Sequence, residues 1–366
     1  MKLIDDIILV LILSLASCTD ATSRAPARWM VSTLAGSGTR GYQDGAGTAA
    51  RFNSPIGMDV DSSGNIYVAD RTNNRIRMIT PGGEVSTFVN SGEGGDFANV
   101  TTGTAVRFAH PEGVAVDLKN DTIYVAEYDG HRIRKITKIG EAWEVSTLAG
   151  SDTGESGTED GVGTTARFNS PIGMDVDSSG NIYVADHENH RIRMITPGGE
   201  VSTFVGSDEG GGFANVTTGT AVRFNLPTDV AVDSSDTIYV ADTYNHRIQK
   251  ITAGGVKSIL AGSDTGESGT ANGIGTAARF NSPQGVAVDL SGNVYVADYN
   301  NDRIQKITPG RVASTLAGSG TQGSADGTAA AAQFKSPTDV VVDSSGIVYV
   351  IDSDNHRIRK IEYRVP

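Results

Sequence analysis

The segment Arg51-Phe-Asn-Ser-Pro-Ile-Gly-Met-Asp-Val-Asp-Ser-Ser-Gly-Asn-Ile-Tyr-Val-Ala-Asp70 recurs six times in the chain, and in its fullest form Arg-Ile-Arg follows at residues 75–77. The copies are anchored by Phe52, Phe108, Phe168, Phe224, Phe280 and Phe334, which are spaced 54 to 60 residues apart. Self-similarity at a long, nearly fixed period indicates a repeat architecture. A residue that occurs in every copy is therefore expected to be structural, so function is sought where the copies differ.

Composition narrows the fold and the partners. The chain has 366 residues, 45 of them glycine, and a net charge of −13 at pH 7. Short valine-, isoleucine- and threonine-rich runs alternate with Gly, Ser, Asn and Asp clusters, which is typical of many short strands joined by turns. Residues 48–52 leave room for one helical turn at most. The negative charge disfavours nucleic acid as a partner, because a phosphate backbone would be repelled.

Each copy contains four predicted strands. In the first copy they are residues 57–61, 65–69, 75–79 and 85–89. Ser-Ser-Gly-Asn at 62–65 predicts a tight hairpin turn between the first and second strands. Pro-Gly-Gly at 81–83 supplies turn chemistry between the third and fourth. Four strands followed by a long loop, repeated six times, describe the blades of a propeller.

The two ends of the repeat array predict how the ring closes. The sixth copy has a third strand at 357–361 with no fourth strand after it, whereas residues 31–35 repeat the fourth-strand sequence ahead of the first copy. We therefore expect the N-terminal strand to complete the last blade, because pairing the ends removes two exposed sheet edges.

The repeat resembles the NHL repeat family. The residues that carry the resemblance are Pro-x-Gly-Val-Ala-Val-Asp, as at 111–117, then Tyr-Val-Ala-Asp, and Asn-His-Arg-Ile-Arg-Lys-Ile at 355–361. The resemblance spans residues 29–366. It implies an all-β, six-bladed β-propeller of four-stranded antiparallel blades, which we expect to be monomeric. It says little about function, because this fold hosts binding modules, scaffolds and lyases.

The first 28 residues read as a lipoprotein leader. Residues 7–16 are apolar over the length of a signal-peptide core and are too short to span a bilayer. Leu15-Ala16-Ser17-Cys18 resembles a bacterial lipobox, which predicts a signal peptide at 1–17, lipid on Cys18 and a flexible tether over 18–28. Cys18 is the only cysteine. The expected location is extracytoplasmic, on the outer membrane or cell surface; the alternative is an ordinary signal peptide with an incidental cysteine.

Two features recur at the loop between the second and third strands. A carboxylate and an arginine bracket it, as in Asp70 and Arg75, and are expected to form a structural ion pair. The residue before that arginine is histidine in four copies, namely His131, His190, His246 and His356. Rim histidines are candidate ligands for a metal or a substrate, although a structural role is the main alternative.

Acidic residues depart from the repeat on or beside the innermost strands. They are Asp59, Glu112, Asp175, Asp229 and Asp339. Innermost strands line the axial channel of a propeller, so a ring of carboxylates there could hold a calcium-like cation. The alternative is a solvated channel lining that hydrogen-bonds loop amides. No cofactor is otherwise indicated.

The sequence thus favours a lipid-anchored binding or scaffold module that presents a propeller face to a protein or glycan. The expected face carries the long loops, such as 36–54, and the loops between second and third strands. The alternative is a metal-dependent lyase or lactonase with its site at the channel mouth, near Tyr128, Tyr244 or Tyr299. An asymmetric polar cluster with a bound cation would favour the enzyme, and a broad shallow face the binding module.

Overall fold

The strands of this chain form six antiparallel sheets arranged in a ring. The computed structural model describes residues 28–89, 106, 108–140, 142–207 and 222–365. The predicted signal peptide, Cys18 and all of the tether except Arg28 lie outside the described residues. Within the described ranges, no helix has the length and apolar character needed to cross a membrane.

The strand bounds follow the repeat. In chain order the strands are β1 (Arg28–Ala35), β2 (Gly45–Ala46), β3 (Pro55–Val60), β4 (Ile66–Asp70), β5 (Arg75–Ile79), β6 (Glu84–Val89), β7 (Pro111–Asp117), β8 (Thr122–Glu127), β9 (Arg132–Ile139), β10 (Ala142–Gly150), β11 (Gly161–Val162), β12 (Pro171–Val176), β13 (Ile182–Asp186), β14 (Arg191–Ile195), β15 (Glu200–Gly206), β16 (Asp229–Val232), β17 (Ile238–Asp242), β18 (Arg247–Ile251), β19 (Lys257–Gly262), β20 (Gly273–Ile274), β21 (Pro283–Val288), β22 (Val294–Asp298), β23 (Arg303–Ile307), β24 (Val312–Ala317), β25 (Gly327–Thr328), β26 (Pro337–Val342), β27 (Val348–Asp352) and β28 (Arg357–Arg364). Single-turn 3-10 helices span Gly47–Ala49, Arg71–Asn73, Gly163–Thr165, His187–Asn189, Thr243–Asn245, Gly275–Ala277, Tyr299–Asn301 and Ser353–Asn355.

The sheets confirm the predicted all-β, six-bladed propeller. From blade 1 to blade 6 their strand orders are β2-β6-β5-β4-β3, β10-β9-β8-β7, β11-β15-β14-β13-β12, β16-β17-β18-β19, β20-β24-β23-β22-β21 and β25-β1-β28-β27-β26. Each innermost strand contacts the innermost strands of both neighbouring blades, and β26 contacts β3 to complete the circle. One difference from the prediction is a fifth, two-residue strand in blades 1, 3, 5 and 6, where the long loop pairs with the outer edge of the sheet.

The ring closes as the sequence predicted. The strand β1 pairs antiparallel with β28, with Val31 opposite Ile361 and Met30 opposite Glu362. Val31 is 2% exposed and packs in the core of the last blade. The two ends of the propeller are thus joined in one sheet, and neither β1 nor β28 is left as an open edge.

Each hydrophobic core belongs to two neighbouring blades rather than one. Phe52 is fully buried and shares a cluster with Met58 of its own blade and with Ile351 and Ile358 of blade 6. The second strands, of which Ile66–Asp70 is one, are buried along their whole length. A single repeat therefore cannot bury its own apolar surface, which makes the closed ring the stable unit.

One face of the ring carries both sets of loops that the sequence singled out. The backbone N–H of Thr72 donates to the carbonyl of Asn53 at 3.2 Å, and the side-chain amide of Asn73 donates to the carbonyl of Gly41 at 2.9 Å. The turn between second and third strands is therefore hydrogen-bonded to the long loop. We call the surface made by these two sets of loops the loop face.

Deletion of residues 29–36 should destabilise the whole ring. It removes the partner of β28 and opens a sheet edge, at roughly 1 kcal/mol for each net backbone hydrogen bond lost. A drop of several kcal/mol in the free energy of unfolding, measured in urea, is expected. Deletion of residues 19–27 is the control, since it leaves β1 intact; equal losses in the two truncated proteins would contradict closure through β1.

Candidate functional site at the channel mouth

The axis of the ring is a cavity of about 640 Å³ lined by the innermost strands of all six blades. All five carboxylates singled out from the sequence line it: Asp59, Glu112, Asp175, Asp229 and Asp339. The structure thus places them around one space, four in the channel wall and Glu112 nearer the loop face.

The four aspartates bridge neighbouring blades. Asp59 accepts the N–H of Val60 in its own blade at 2.7 Å and the N–H of Val116 in the next blade at 2.7 Å. The other three each accept one amide from their own blade and one from the next, namely Val232 for Asp175, Val286 for Asp229 and Met58 for Asp339. These amides belong to strands, not to loops. We call the four aspartates the axial ring.

The axial ring titrates well above the range usual for aspartate. Burial, followed by repulsion from Asp175, raises the pKa of Asp59 to about 8. Burial also raises the pKa of Asp175 to about 6 and that of Asp339 to about 7. The pKa of Asp229 is raised by burial and by the charge of Asp339. Desolvation outweighs the amide hydrogen bonds, which favour the charged form.

The aspartates of the axial ring are not gathered into a metal-binding group. In the part of the chain that the structure describes, no group of three His, Cys, Asp or Glu side chains is arranged to hold a metal ion. Both oxygens of each aspartate face backbone amides, so the carboxylates are spread along the seams between blades instead of converging on one point.

A different, asymmetric cluster lies at the mouth of the cavity on the loop face. The guanidinium Nε of Arg71 lies 2.6 Å from Oε1 of Glu112, and its central carbon is 5.7 Å from the ring centre of Tyr128. The rings of Tyr128 and His187 are 6.5 Å apart, and His187 Nδ1 donates to the carbonyl of Pro227 at 3.0 Å. We call Arg71, Glu112, Tyr128 and His187 the mouth cluster.

Burial perturbs the acid–base properties of the mouth cluster. It raises the pKa of Glu112 to about 7, although the charge of Arg71 lowers it. It also raises the pKa of Tyr128 and lowers that of His187. Perturbed groups of this kind in a cleft are typical of functional sites.

A pattern in the sequence points to this cluster but was not used to predict it. The residue directly after each second strand begins the turn that leads to the third strand, and it differs in nearly every blade. In chain order these residues are Arg71, Tyr128, His187, Thr243, Tyr299 and Ser353. Sequence reasoning singled out Tyr128 and Tyr299 but neither Arg71 nor His187. Of the tyrosines, Tyr128 and Tyr244 line the cavity and Tyr299 does not.

The four rim histidines do not converge; each joins its blade to the next. His131 Nδ1 accepts the backbone N–H of Ser170 at 3.0 Å, and His190, His246 and His356 accept from Leu226, Ser282 and Ser54 in the same way. In the two remaining blades, Asn74 and Asp302 accept the N–H groups of His110 and Ser336 with a side-chain oxygen. All six seams between blades thus carry this bond.

The geometry of the turn explains why His, Asn and Asp interchange here. All six acceptors have positive φ between 48° and 55°, a backbone conformation that Asn, Asp and His adopt more readily than most residues. Each side chain also offers an acceptor at the same distance along it, Nδ1 or Oδ1. Burial lowers the pKa of all four histidines, which keeps Nδ1 an acceptor.

The ion pairs beneath the loop face differ from the prediction. In blades 1, 3 and 6 the carboxylate pairs with the arginine two residues later than expected, as Asp70 does with Arg77 at 2.8 Å. In blades 2 and 4 the predicted arginine pairs, as Asp242 does with Arg247 at 2.8 Å, and in blade 2 Glu127 also pairs with the later arginine, Arg134, at 3.1 Å. Arg77 is fully buried, whereas Arg75 lies over the ring of Tyr42.

Replacing His131, His190, His246 and His356 with asparagine should remove acid sensitivity from the seams. Because folding lowers these histidine pKa values, their contribution to stability is present above about pH 6.5 and is lost as pH falls below it. Between about pH 7 and about pH 5, the melting temperature should fall more in the wild type than in the quadruple variant. The axial ring has the opposite pH dependence but is the same in both proteins.

His110→Asn is the matched control for that comparison. The side chain of His110 contacts Asp129, and His110 enters the seam only through its backbone N–H. This variant should keep the wild-type pH dependence. An identical acid-induced drop in the quadruple variant and the wild type would show that the histidine seams do not titrate as the geometry indicates.

Comparison with known proteins agrees with the blades seen in the structure. The model of the NHL repeat matches residues 52–77, 108–136, 168–193, 224–251, 280–307 and 334–361. Protein SUPPRESSOR OF QUENCHING 1, chloroplastic, of Arabidopsis thaliana is 29% identical over 75% of this chain, which spans 27% of that protein. NHL repeat-containing protein 2 of Homo sapiens is 28% identical over 81% of this chain, which spans 44% of it.

Solved structures share the fold at low identity. An auxiliary nutrient binding protein from Bacteroides thetaiotaomicron matches with a TM-score of 0.67 and 17% identity, over 92% of this chain and 77% of that one. A gluconolactonase from Xanthomonas campestris matches with a TM-score of 0.56 and 13% identity, over 91% and 89%. The chain is a protein of six NHL repeats folded as a six-bladed propeller.

Proposed function

We propose that this protein is an extracytoplasmic, lipid-anchored binding module that takes a glycan at the channel mouth. The observation that carries the proposal is the mouth cluster, an asymmetric set of perturbed polar groups at the opening of a concave cavity. A cavity volume of about 640 Å³ lies in the range typical of pockets for small ligands.

The chemistry of the mouth cluster suits a sugar. Glu112 accepts hydrogen bonds, Arg71 donates them, and Tyr128 offers an apolar ring with a polar hydroxyl. Sugar rings present hydroxyl groups that both donate and accept, and a C–H face that packs on an aromatic ring. That one solved relative of this fold is described as nutrient-binding fits this proposal, and a protein partner remains an outcome of the tests below.

A lyase or lactonase is the second candidate. It is favoured by the adjacency of the Tyr128 and His187 rings beside the Arg71 guanidinium, since a phenol and an imidazole can exchange protons with a substrate. Against it stands the lack of a metal-ligand group among the described residues. Incubation of the protein with an oligosaccharide or a lactone, followed by chromatography and mass spectrometry, separates the two. A lyase splits the oligosaccharide into fragments or opens the lactone to an isomer with a new retention time, a lactonase adds water to the lactone, and a binding module returns either ligand intact.

Loss of the Tyr128 ring from the mouth cluster should weaken glycan binding. Tyr128→Ala is expected to weaken the binding of oligosaccharides, measured by calorimetry, by about tenfold or more, which corresponds to about 1.4 kcal/mol. Tyr299→Ala is the matched control, because it occupies the same repeat position in blade 5 and does not line the cavity. If neither neutral nor acidic oligosaccharides bind, or if both variants bind like the wild type, the proposed site is wrong.

The membrane anchor is a separate part of the proposal and has its own test. Two acyl chains give stable membrane attachment where one gives only marginal binding. Cys18→Ser should therefore block lipidation and move the protein from the membrane fraction to the soluble fraction. Unchanged processing and fractionation of this variant would show that Cys18 is not the anchor, without bearing on the glycan site.

A further inference from the structure

Positive charge gathers on the loop face at blade 1, although the chain as a whole carries a charge of −13. Arg40 and Arg51 are exposed in the long loop, and Arg75 lies half-buried at the start of β5. Asp44, in the same loop, is held by the buried Arg77 at 2.5 Å. Because Arg77 also pairs with Asp70, the two carboxylates share this one guanidinium, and Asp44 is turned toward Arg77 and not toward Arg40 or Arg51.

The equivalent positions in other blades show that Arg51 is unusual. Arg167 and Arg279 occupy its position in blades 3 and 5, where they pair with Glu155 at 3.2 Å and with Glu267 at 3.1 Å. The loop of blade 1 is two residues shorter and has no glutamate at that place. Arg51 accordingly has no ion-pair partner among the residues that the structure describes.

Arg75 likewise has no carboxylate partner within the ranges that the structure describes. Its guanidinium lies 3.8 Å from the ring centre of Tyr42, whose hydroxyl is hydrogen-bonded to Thr87 Oγ1 at 3.0 Å. Arg132 and Arg247, at the same strand position in blades 2 and 4, instead pair with Glu127 and Asp242. Stacking on Tyr42 restricts the guanidinium in advance, which lowers the entropic cost of binding an anion.

These arginines continue outward from the mouth cluster. Arg71 and Arg75 belong to the same turn and strand start, and the long loop folds back on itself through the bridge between Gln43 and Arg51. The Arg51 side chain lies beside Gly41, which separates Arg40 from Tyr42. We call Arg40, Arg51 and Arg75 the arginine track.

We infer that the glycan bound at the mouth cluster is an acidic one, a uronic-acid-containing oligosaccharide whose carboxylates lie along the arginine track. This inference rests on the proposed function and specifies its ligand class. A guanidinium presents a planar pair of N–H donors that fits a carboxylate in two hydrogen bonds. A linear sugar chain with one end in the mouth cluster would place its carboxylates over blade 1, within reach of the arginine track.

The test compares three probes on the full chain in detergent: oligogalacturonate, a neutral cello-oligosaccharide of equal length and a short polyglutamate. The variant Arg40→Ala/Arg51→Ala removes two exposed charges, and Arg167→Ala/Arg279→Ala is the control with the same change in net charge. At about 50 mM salt, where exposed charges are weakly screened, the first variant should weaken oligogalacturonate binding by about tenfold or more. It should leave the neutral sugar within about twofold, and the control should leave both unchanged.

The outcomes separate this inference from the proposed function. The inference that the glycan is acidic is overturned if Arg40→Ala/Arg51→Ala binds oligogalacturonate like the wild type, or if the wild type binds the neutral sugar equally well. If Tyr128→Ala still weakens sugar binding in that case, the proposed glycan site itself stands. Tighter binding of polyglutamate than of oligogalacturonate also overturns the inference and indicates an acidic protein partner. Binding of no sugar at all contradicts the proposed function as well.

Discussion

The loop face depends on one buried interaction, the carboxylate that ends each second strand. Asp70 is fully buried and accepts the N–H of Asn53, the side-chain amide of Asn73 and the guanidinium of Arg77, each at 2.8 Å. Loss of one partner from such a buried pair typically costs about 3–5 kcal/mol, because the other charge is left uncompensated. The carboxylate therefore joins long loop, turn and third strand rigidly, and it fixes the neighbours on which function depends, Arg71 at the channel mouth and Asn74 at the seam.

In the turn between the second and third strands, the last residue has the same role in every blade, whereas the first residue varies from blade to blade. Its last residue accepts a hydrogen bond from the next blade in all six blades, and so it can vary only among His, Asn and Asp. Its first residue lines the axial cavity in blades 1 to 4 and makes no bond that every blade needs, so it is free to change. The chemically active residues accumulate there in blades 1 to 3, as Arg71, Tyr128 and His187. A ring of equivalent blades thus acquires a single asymmetric site without loss of its closure.

Patterns within each repeat were enough to predict the fold, whereas the roles of the site residues depend on packing and on contacts between repeats that the sequence does not show. Strand alternation and turn residues predicted the blades and the pairing of β1 with β28, since both signals lie within one repeat. The partner of Asp70 could not be predicted, because Arg75 and Arg77 point to the same side of β5 and only packing shows which turns inward. The role of His190 was missed for a related reason: its donor, Leu226, belongs to the next blade and lies 36 residues away.

Protons act in opposite directions on the stability contributed by the two sets of groups that join the blades, the aspartates of the axial ring and the histidines of the loop face. Folding raises the pKa of Asp59 and Asp339 to about 8 and about 7, so the stability contributed by the axial ring is lost as pH rises through that range. Folding lowers the histidine pKa values at the loop face, so the stability contributed by the seams is lost as pH falls. Three seams carry both sets, those between blades 3 and 4, 4 and 5, and 6 and 1. The ring is therefore most stable where the histidines are already neutral and part of the axial ring is still protonated. Acid therefore weakens the hydrogen bonds at the loop face, where the mouth cluster lies, while at the axis it removes buried charges that repel one another.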